Sequence, residues 1–600
     1  MPPRDWGQPG WMELQQRINQ FLDPSNYPAP GGPGVTPPTP TVPGATARNG
    51  PNTPAGFGSG TGGATRSTGA SAFTKRSRPA TTASASWEYW WARNRYRFLE
   101  SRLPARDDSG LTKGNRPIDP AKTEGALWLR NKAIETLRLF LDADSPAVRR
   151  GALVGLGKLS DEASFLQMLK ALKDRDLSVR RAAILTLGLT GMVEAREALL
   201  SLVHGGKEGA RLVGDSTVPV EFRCLAELSL ALAGFAEVGP DFMKIASDDS
   251  GDDAVRAMAL EGLGLLGGEE AIRFLIDFSR NTKNDYRLMS VAVTALGKTG
   301  SPLAVPHLVK QLDSRHGAVR QSAAMALGLC APKKDTSTVK KLYVSYNRAT
   351  DASFRGFALA SMGEIGGATA IEYLKSVATR GRAPDLPWAA LGLGFALATA
   401  PEAKVPALLL KKFDSCRNRS TRGALALALG LARCTDALET LTESMHDDDD
   451  PFLRGYCALA MGMIGDPSVV MSLRGALIEQ NIYPLNTHAA LALALLDDRY
   501  SSTRLLDRLI CEWSETTKAM ASRSLVHMGN NLVASMTARR ILDFVATKTS
   551  DEITYMYLLD LLATFATRPC EFRIDRVAGG SNYLCEHPVM VYLVNFGPWI

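Results

Sequence analysis

An arginine followed three places later by alanine and eight places later by glycine recurs down most of this chain. Copies stand at "RRGALVGLGKL" (149–159), "RRAAILTLGLTG" (180–191), "RAMALEGLGLLG" (256–267), "RQSAAMALGLC" (320–330), "RGFALASMGEIG" (355–366), "RGALALALGLA" (422–432) and "RGYCALAMGMIG" (454–465). Followed through the weaker copies, the last position falls at Gly157, Gly188, Ala231, Gly264, Gly297, Gly328, Gly363, Ala396, Gly430, Gly462, Leu496 and Val526, at intervals of 30 to 35 residues apart from one of 43. A fixed period of this size means stacked supersecondary units, none of which can bury its apolar face alone. The long interval marks an insertion, "HGGKEGARLVGDSTVPV" at 204–220, which reads as a tolerated loop or as part of a binding face.

Residue spacing gives the structure of one unit. In "ASFLQMLKALKD" (163–174), Phe165, Leu166, Leu169 and Leu172 share one helical face. A short break follows, and the Arg-to-Gly segment forms the second helix. Asp176, Asp252, Asp351 and Asp450 each lie four before the arginine, where a carboxylate can accept the orphan N–H groups of a helix start. Gly or Ala within the second helix lets neighbouring helices approach closely. Some units depart from the pattern: Arg287 stands ten before Gly297, and Trp388, His488 and Lys518 take the place of arginine.

The cadence of "SVRRAAILTLG" and "AVRQSAAMALG" resembles the HEAT repeat, in particular the short HEAT-like repeats of phycobilisome lyases, over about residues 125–540. The resemblance implies an all-α fold, a right-handed α-solenoid of HEAT/armadillo type. A Pro/Gly-rich leader, a W-x-x-W-W helix and a HEAT array together also resemble a set of bacterial HEAT-repeat proteins, which begin with an export signal that this chain does not show. A lyase role is implied only by the name of the repeat, since no chromophore-handling residues can be matched.

Ahead of the repeats the composition changes. Residues 1–22 hold one short amphipathic segment, with Trp11, Leu14, Ile18 and Leu22 on one side. Residues 23–86 are a Pro/Gly/Ser/Thr-rich linker that buries too little apolar area to offset its ordering entropy and is expected to be disordered. Then comes "WEYWWARNRYRFLESR" (87–102). Its Trp87, Trp90, Trp91, Asn94 and Phe98 fall on one helical face, which suits the capping element that a solenoid's first repeat requires. Residues 87–120 are therefore read as an N-terminal cap, with Trp87, Trp90, Trp91 and Phe98 as its apolar face. Tyr89, Arg93, Arg95 and Tyr96 form a rim of the residue types that dominate binding hot spots. The solenoid is assigned to 121–545, and 546–600 to a C-terminal capping helix and tail.

The charge balance narrows the function. Residues 1–120 hold 14 basic and 8 acidic side chains, and the remaining 480 hold 55 and 54. A repeat domain so nearly neutral lacks the basic channel that nucleic acid requires. The arginine series Arg149, Arg180, Arg256, Arg320, Arg355, Arg422 and Arg454 is accordingly read as hydrogen bonding between repeats rather than as a phosphate track. Seven scattered histidines, no phosphate-cradling loop and no nucleophile motif give no catalytic, cofactor or metal site. "HDDDDP" (446–451) lacks the alternating ligand spacing of a calcium loop and reads as a solvated turn. The longest charge-free apolar run, 386–401, is too short to span a membrane. The eight cysteines read as reduced, with Cys570 and Cys585 able to pair in an exported protein. The function expected is a non-catalytic scaffold for a protein or peptide partner, in the cytoplasm if the first 30 residues are taken at face value. The alternatives are a lyase-like enzyme or enzyme subunit, and an exported cell-envelope structural protein.

Overall fold

Each Arg-to-Gly segment is the second helix of its unit, and a first helix precedes it. In the computed structural model these second helices are Pro146–Lys158, Leu177–Thr190, Val220–Leu232, Asp253–Leu266, Tyr286–Lys298, Gly317–Cys330, Ala352–Ile365, Leu386–Ala396, Arg419–Leu431, Pro451–Ile464, Tyr483–Leu495, Glu515–His527 and Glu552–Ala566. They define repeats 1 to 13. The structure describes residues 86–99, 112–113, 116–117, 579–580, 582 and 589, and 124–566 apart from short breaks at 282, 479–482, 499, 512–514, 528–530 and 548–549. The segment 1–22 and nearly all of the linker lie outside the described residues, as do Cys570 and Cys585. A two-residue antiparallel pairing, Thr112–Lys113 with Arg116–Pro117, is the one strand element among them.

Local chemistry sets the helix ends. Asp176 accepts from the amides of Ser178 and Val179, Asp252 from Ala254, Asp351 from Ser353, and Asp450 from Phe452 and Leu453. Pro451 fills the first turn, where its missing N–H costs nothing. Gly191 closes the repeat-2 helix at φ +66°, a conformation that glycine adopts without a Cβ clash.

The second helices stack side by side, each touching the next, and the helix of repeat 13 also lies against that of repeat 1. The array is therefore a closed ring, with the second helices inside and the first helices outside. Their close approach rests on small residues: a Cβ on Gly363 would stand 2.4 Å from the Gly392 Cα, and one on Gly430 would stand 2.7 Å from the Ala460 Cα. The seam between the ends is a full interface. Lys158 pairs with Asp560 at 2.6 Å and donates to Thr564, Ser145 donates to Glu552, and the Phe140 and Tyr555 rings meet at 5.8 Å.

Closure corrects two sequence-based expectations. The repeats do not stop at residue 545, because Glu552–Ala566 is a repeat helix that completes the circle. Nor does the Trp-rich helix cap repeat 1, since that face is already covered by Glu552–Ala566; the aromatic helix lies inside the ring. The insertion at 204–220 forms an extra short helix, Lys207–Val213, whose C-terminal carbonyl accepts from Arg180.

Candidate functional site

The interior of the ring has two chemically distinct sides. Along repeats 4 to 6 the inner surface is polar: Lys298 and Glu261 form a buried pair at 2.7 Å, and the hydroxyls of Ser290 and Thr294 meet that of Ser322. Along repeats 8 to 10 it is apolar, presenting Leu391, Phe395, Leu427, Leu431, Leu459 and Met463. Water is a poor solvent for such a surface, and the helix Trp87–Leu99 covers it.

The helix holds its groove by aromatic anchors. Trp87, Trp90 and Trp91 are 3%, 1% and 1% exposed. The Trp87 indole donates to Ser420 Oγ at 2.9 Å, and its ring lies 5.2 Å from Tyr456. Trp90 meets Trp388 edge-on at 5.9 Å and Phe395 at 5.8 Å. Phe98 stacks on Phe395 with centroids 4.0 Å apart. Edge and offset contacts of this kind add about 0.5–1.5 kcal/mol each beyond the area they bury.

Polar contacts fix the register. Arg97 pairs with Glu364 at 3.1 Å and also donates to Asn94, and Glu88 accepts from Ser420. Asn94 Oδ1 accepts from the amide of Gly580, which brings part of the C-terminal region beside the helix. Asn582 in turn donates to Ser322 Oγ on the inner helix of repeat 6. Past the end of the helix lies a half-open cavity of about 320 Å³, lined by Arg97, Phe98, Leu329, Lys333, Glu364 and Phe395 among others.

The predicted rim of this helix is not an exposed one. Arg93 is only 5% exposed and donates to the Tyr89 hydroxyl at 3.0 Å, while Tyr89 and Arg95 are half-buried. A helix inside a ring has cover on more than one side, which is why a rim read from its own periodicity is enclosed. The Tyr96 side chain lies outside the described residues.

Two groups in the seat are buried and unmet. The Trp91 indole N–H has no hydrogen-bond partner among the described residues. His488 places Nδ1 2.7 Å from the Pro484 carbonyl, which makes that nitrogen the donor and leaves Nε2 as an acceptor with nothing to accept from. Burial, reinforced by the neighbouring Arg95 charge, pushes the His488 pKa down to about 3, so the ring is neutral.

The arginine series is engaged at the turns that join the two helices of a repeat, four of the seven crossing to the following repeat and three bonding within their own. Arg149 reaches Asp174, Arg180 reaches Asp215, Arg355 reaches Asp385 and Arg422 reaches Asp448, each in the following repeat. Arg256 bonds the Ala246 carbonyl and Asp249, Arg320 the Ser314 and Arg315 carbonyls, and Arg454 the Met445 carbonyl. In "HDDDDP", Asp448 and Asp449 face Arg419, and Asp450 is the cap. Among the described residues no three His, Cys, Asp or Glu side chains gather as a metal site, and no helix is long and apolar enough to cross a membrane.

Sequence reading missed the seat itself: Trp388, Tyr456 and His488. One signal lay in the repeats. Aligned on the small residues that face the next helix, these three occupy the same level of the inner surface. Gly356, Gly423 and Gly455, each of which precedes one of them by one repeat, abut their side chains. Aromatic rings at one level in repeats 8, 10 and 11, with Ala424 at that level in repeat 9, mark a surface built to receive something.

No curated protein matches the chain. Solved structures similar to it include human deoxyhypusine hydroxylase in complex with glycerol (18% identity over 45% of this chain and 99% of that one, TM-score 0.22). Others are YibA of E. coli (16%, 44% and 95%, TM-score 0.28) and Kap95p with RanGDP (14%, 73% and 66%, TM-score 0.33). The family model of HEAT repeats matches residues 134–212, 239–328, 305–394 and 406–494, together more than half of the chain. With the helix pairs of repeats 1 to 11 stacked in the same order along that span, the chain belongs to the HEAT-repeat family.

Proposed function

We propose that this protein is a non-catalytic scaffold that binds a partner protein or peptide through its solenoid surfaces. One observation carries the reading: the inner surface of repeats 7 to 11 accommodates an amphipathic helix through spaced aromatic anchors, the mode by which helix-binding grooves recognise their ligands. The near-neutral charge of the repeats favours a protein partner over nucleic acid.

The test is affinity capture by the intact chain from extract of the source cell, with cross-linking mass spectrometry on the captured complex. The reading expects one protein at stoichiometric yield, cross-linked to the repeat helices. Capture of nothing, together with robust turnover in a substrate screen of the purified chain, would overturn it.

A further inference from the structure

The helix Trp87–Leu99 stands apart from the elements it touches. Among the described residues all the other long helices belong to an inner–outer pair of the ring, whereas this one precedes repeat 1 in sequence and docks some 270 to 370 residues away, at Glu364, Trp388, Phe395, Ser420 and Tyr456. It can leave its seat without breaking a single repeat. A helix of thirteen residues is also too short to hold itself together in water, so it is ordered by the groove.

The fit is incomplete in one respect. His488, 7% exposed and in edge contact with Tyr456, keeps an acceptor nitrogen that no donor among the described residues reaches. A buried polar atom left unmet is a standing cost, and an occupant that offers a hydrogen-bond donor there removes it.

From this juxtaposition we propose that the inner groove of repeats 7 to 11 is a docking site for an amphipathic helix of a partner protein, and that Trp87–Leu99 is the intramolecular competitor which that helix displaces. The partner helix carries large apolar side chains at positions matching Trp87, Trp90 and Phe98, a cation opposite Glu364, and a hydroxyl or amide donor within reach of His488 Nε2. The cation follows from the charge of the seat, since Glu364 is met by Arg97 when the chain's own helix is bound. The proposal rests on the scaffold reading and adds its regulation: the site is filled until a better ligand arrives.

The probe is a fluorescein-labelled peptide with the sequence of residues 87–99, titrated by anisotropy into the full-length chain and into full-length Trp90→Ala/Phe98→Ala, which loosens the internal helix and leaves the groove intact. The variant is expected to bind the peptide at least about tenfold more tightly than the wild type, because the internal competitor no longer reduces the fraction of open groove. Adding Glu364→Lys should reverse that gain. Equal affinity in the two chains, both shown folded by circular dichroism, overturns the proposal.

Should the double variant fail to fold, hydrogen exchange of the wild type decides. Amides of residues 87–99 exchanging roughly 100-fold faster than those of the inner helices mark a local opening and support displacement. Exchange of both only through global unfolding overturns it. If the wild type still captures a stoichiometric partner in that case, the scaffold reading stands and the partner binds another face. A helix that opens in a chain that captures nothing and turns over a substrate overturns the scaffold reading, and the partner helix falls with it.

Discussion

A buried ion pair sits at the centre of the seam that closes the ring, and Lys158→Met should weaken that closure. Lys158 and Asp560 are 7% and 3% exposed and 2.6 Å apart, on helices that belong to the first and the last repeat. Removing one partner of a buried pair strands the other and costs about 3–5 kcal/mol. All of that cost falls on the seam, because neither residue supports its own repeat through this contact. At 1.4 kcal/mol per tenfold, the closed-to-open ratio should drop by roughly 10² to 4 × 10³. Burial already drives the Asp560 pKa up, with the Lys158 ammonium opposing it. Without lysine, the closed state must hold a proton that the open state releases once pH exceeds the ordinary value of 3.8. The variant is therefore steadied at low pH and loses closure as pH rises, so the defect should be smaller at pH 5 than at pH 8. Hydrogen exchange at Pro146–Lys158 and Glu552–Ala566 reads the opening directly, and small-angle scattering reads the longer maximum dimension. A second change, Asp560→Leu, removes the stranded charge and should restore closure. Seam exchange that rises less than about tenfold in Lys158→Met, with no rescue by the double variant, would refute the reasoning.

Other substitutions test other joints. Gly363→Leu must displace the backbone of Gly392 and should lower stability by about 1–3 kcal/mol, read as a fall in Tm. Glu227 is fully buried with neither oxygen bonded, and burial raises its pKa well above 4.5. Folding must keep it protonated, so the wild type loses stability as pH rises above that value. Glu227→Leu should gain about 1–3 kcal/mol, with a Tm advantage larger at pH 8 than at pH 5. Asp385 accepts from Arg355 at 3.1 Å and from the Tyr346 hydroxyl at 2.9 Å, and Asp385→Ala strands that guanidinium at a cost of about 3–5 kcal/mol in chemical denaturation.

The helix pairs, their caps and their glycines were legible because they are local: a period near 33 and an aspartate four before an arginine lie within one window. Register was readable only where one small residue stood out. In repeat 8 the pattern offers Gly392, Gly394 and Ala396, and the sequence favours Ala396. The structure sets Gly363 against Gly392, just as it sets Gly328 against Ser361 and Gly430 against Ala460, so Gly394 is the true counterpart. That shift of two moves Trp388 from an arginine's place to the level of Tyr456, and the same shift in repeat 11 does so for His488. The location of the aromatic helix was not legible at all. Its contacts span hundreds of residues and depend on curvature summed over the whole array, which no window contains.

That curvature has a visible cause. Gly157 lies on Thr186, Gly188 on Ser229, Gly264 on Ala295, Gly297 on Ala326 and Gly462 on Ala492, so the inner helices meet almost backbone to backbone. The outer helices bring bulkier groups inward, such as Phe242 beneath Gly262 and Leu374 beneath Gly392. Each repeat is thus a wedge, narrow inside and wide outside, and thirteen wedges turning about 28° each complete a circle. Closing the circle forces the apolar inner surfaces of repeats 8 to 10 to face a lumen instead of open solvent. A lumen lined on one side by leucine and aromatic rings is favourable only when filled, and Trp87, Trp90 and Phe98 fill it. The same side chains therefore complete the core and occupy the groove. Only a ligand at least as apolar as the chain's own helix can replace it without leaving those rings wet.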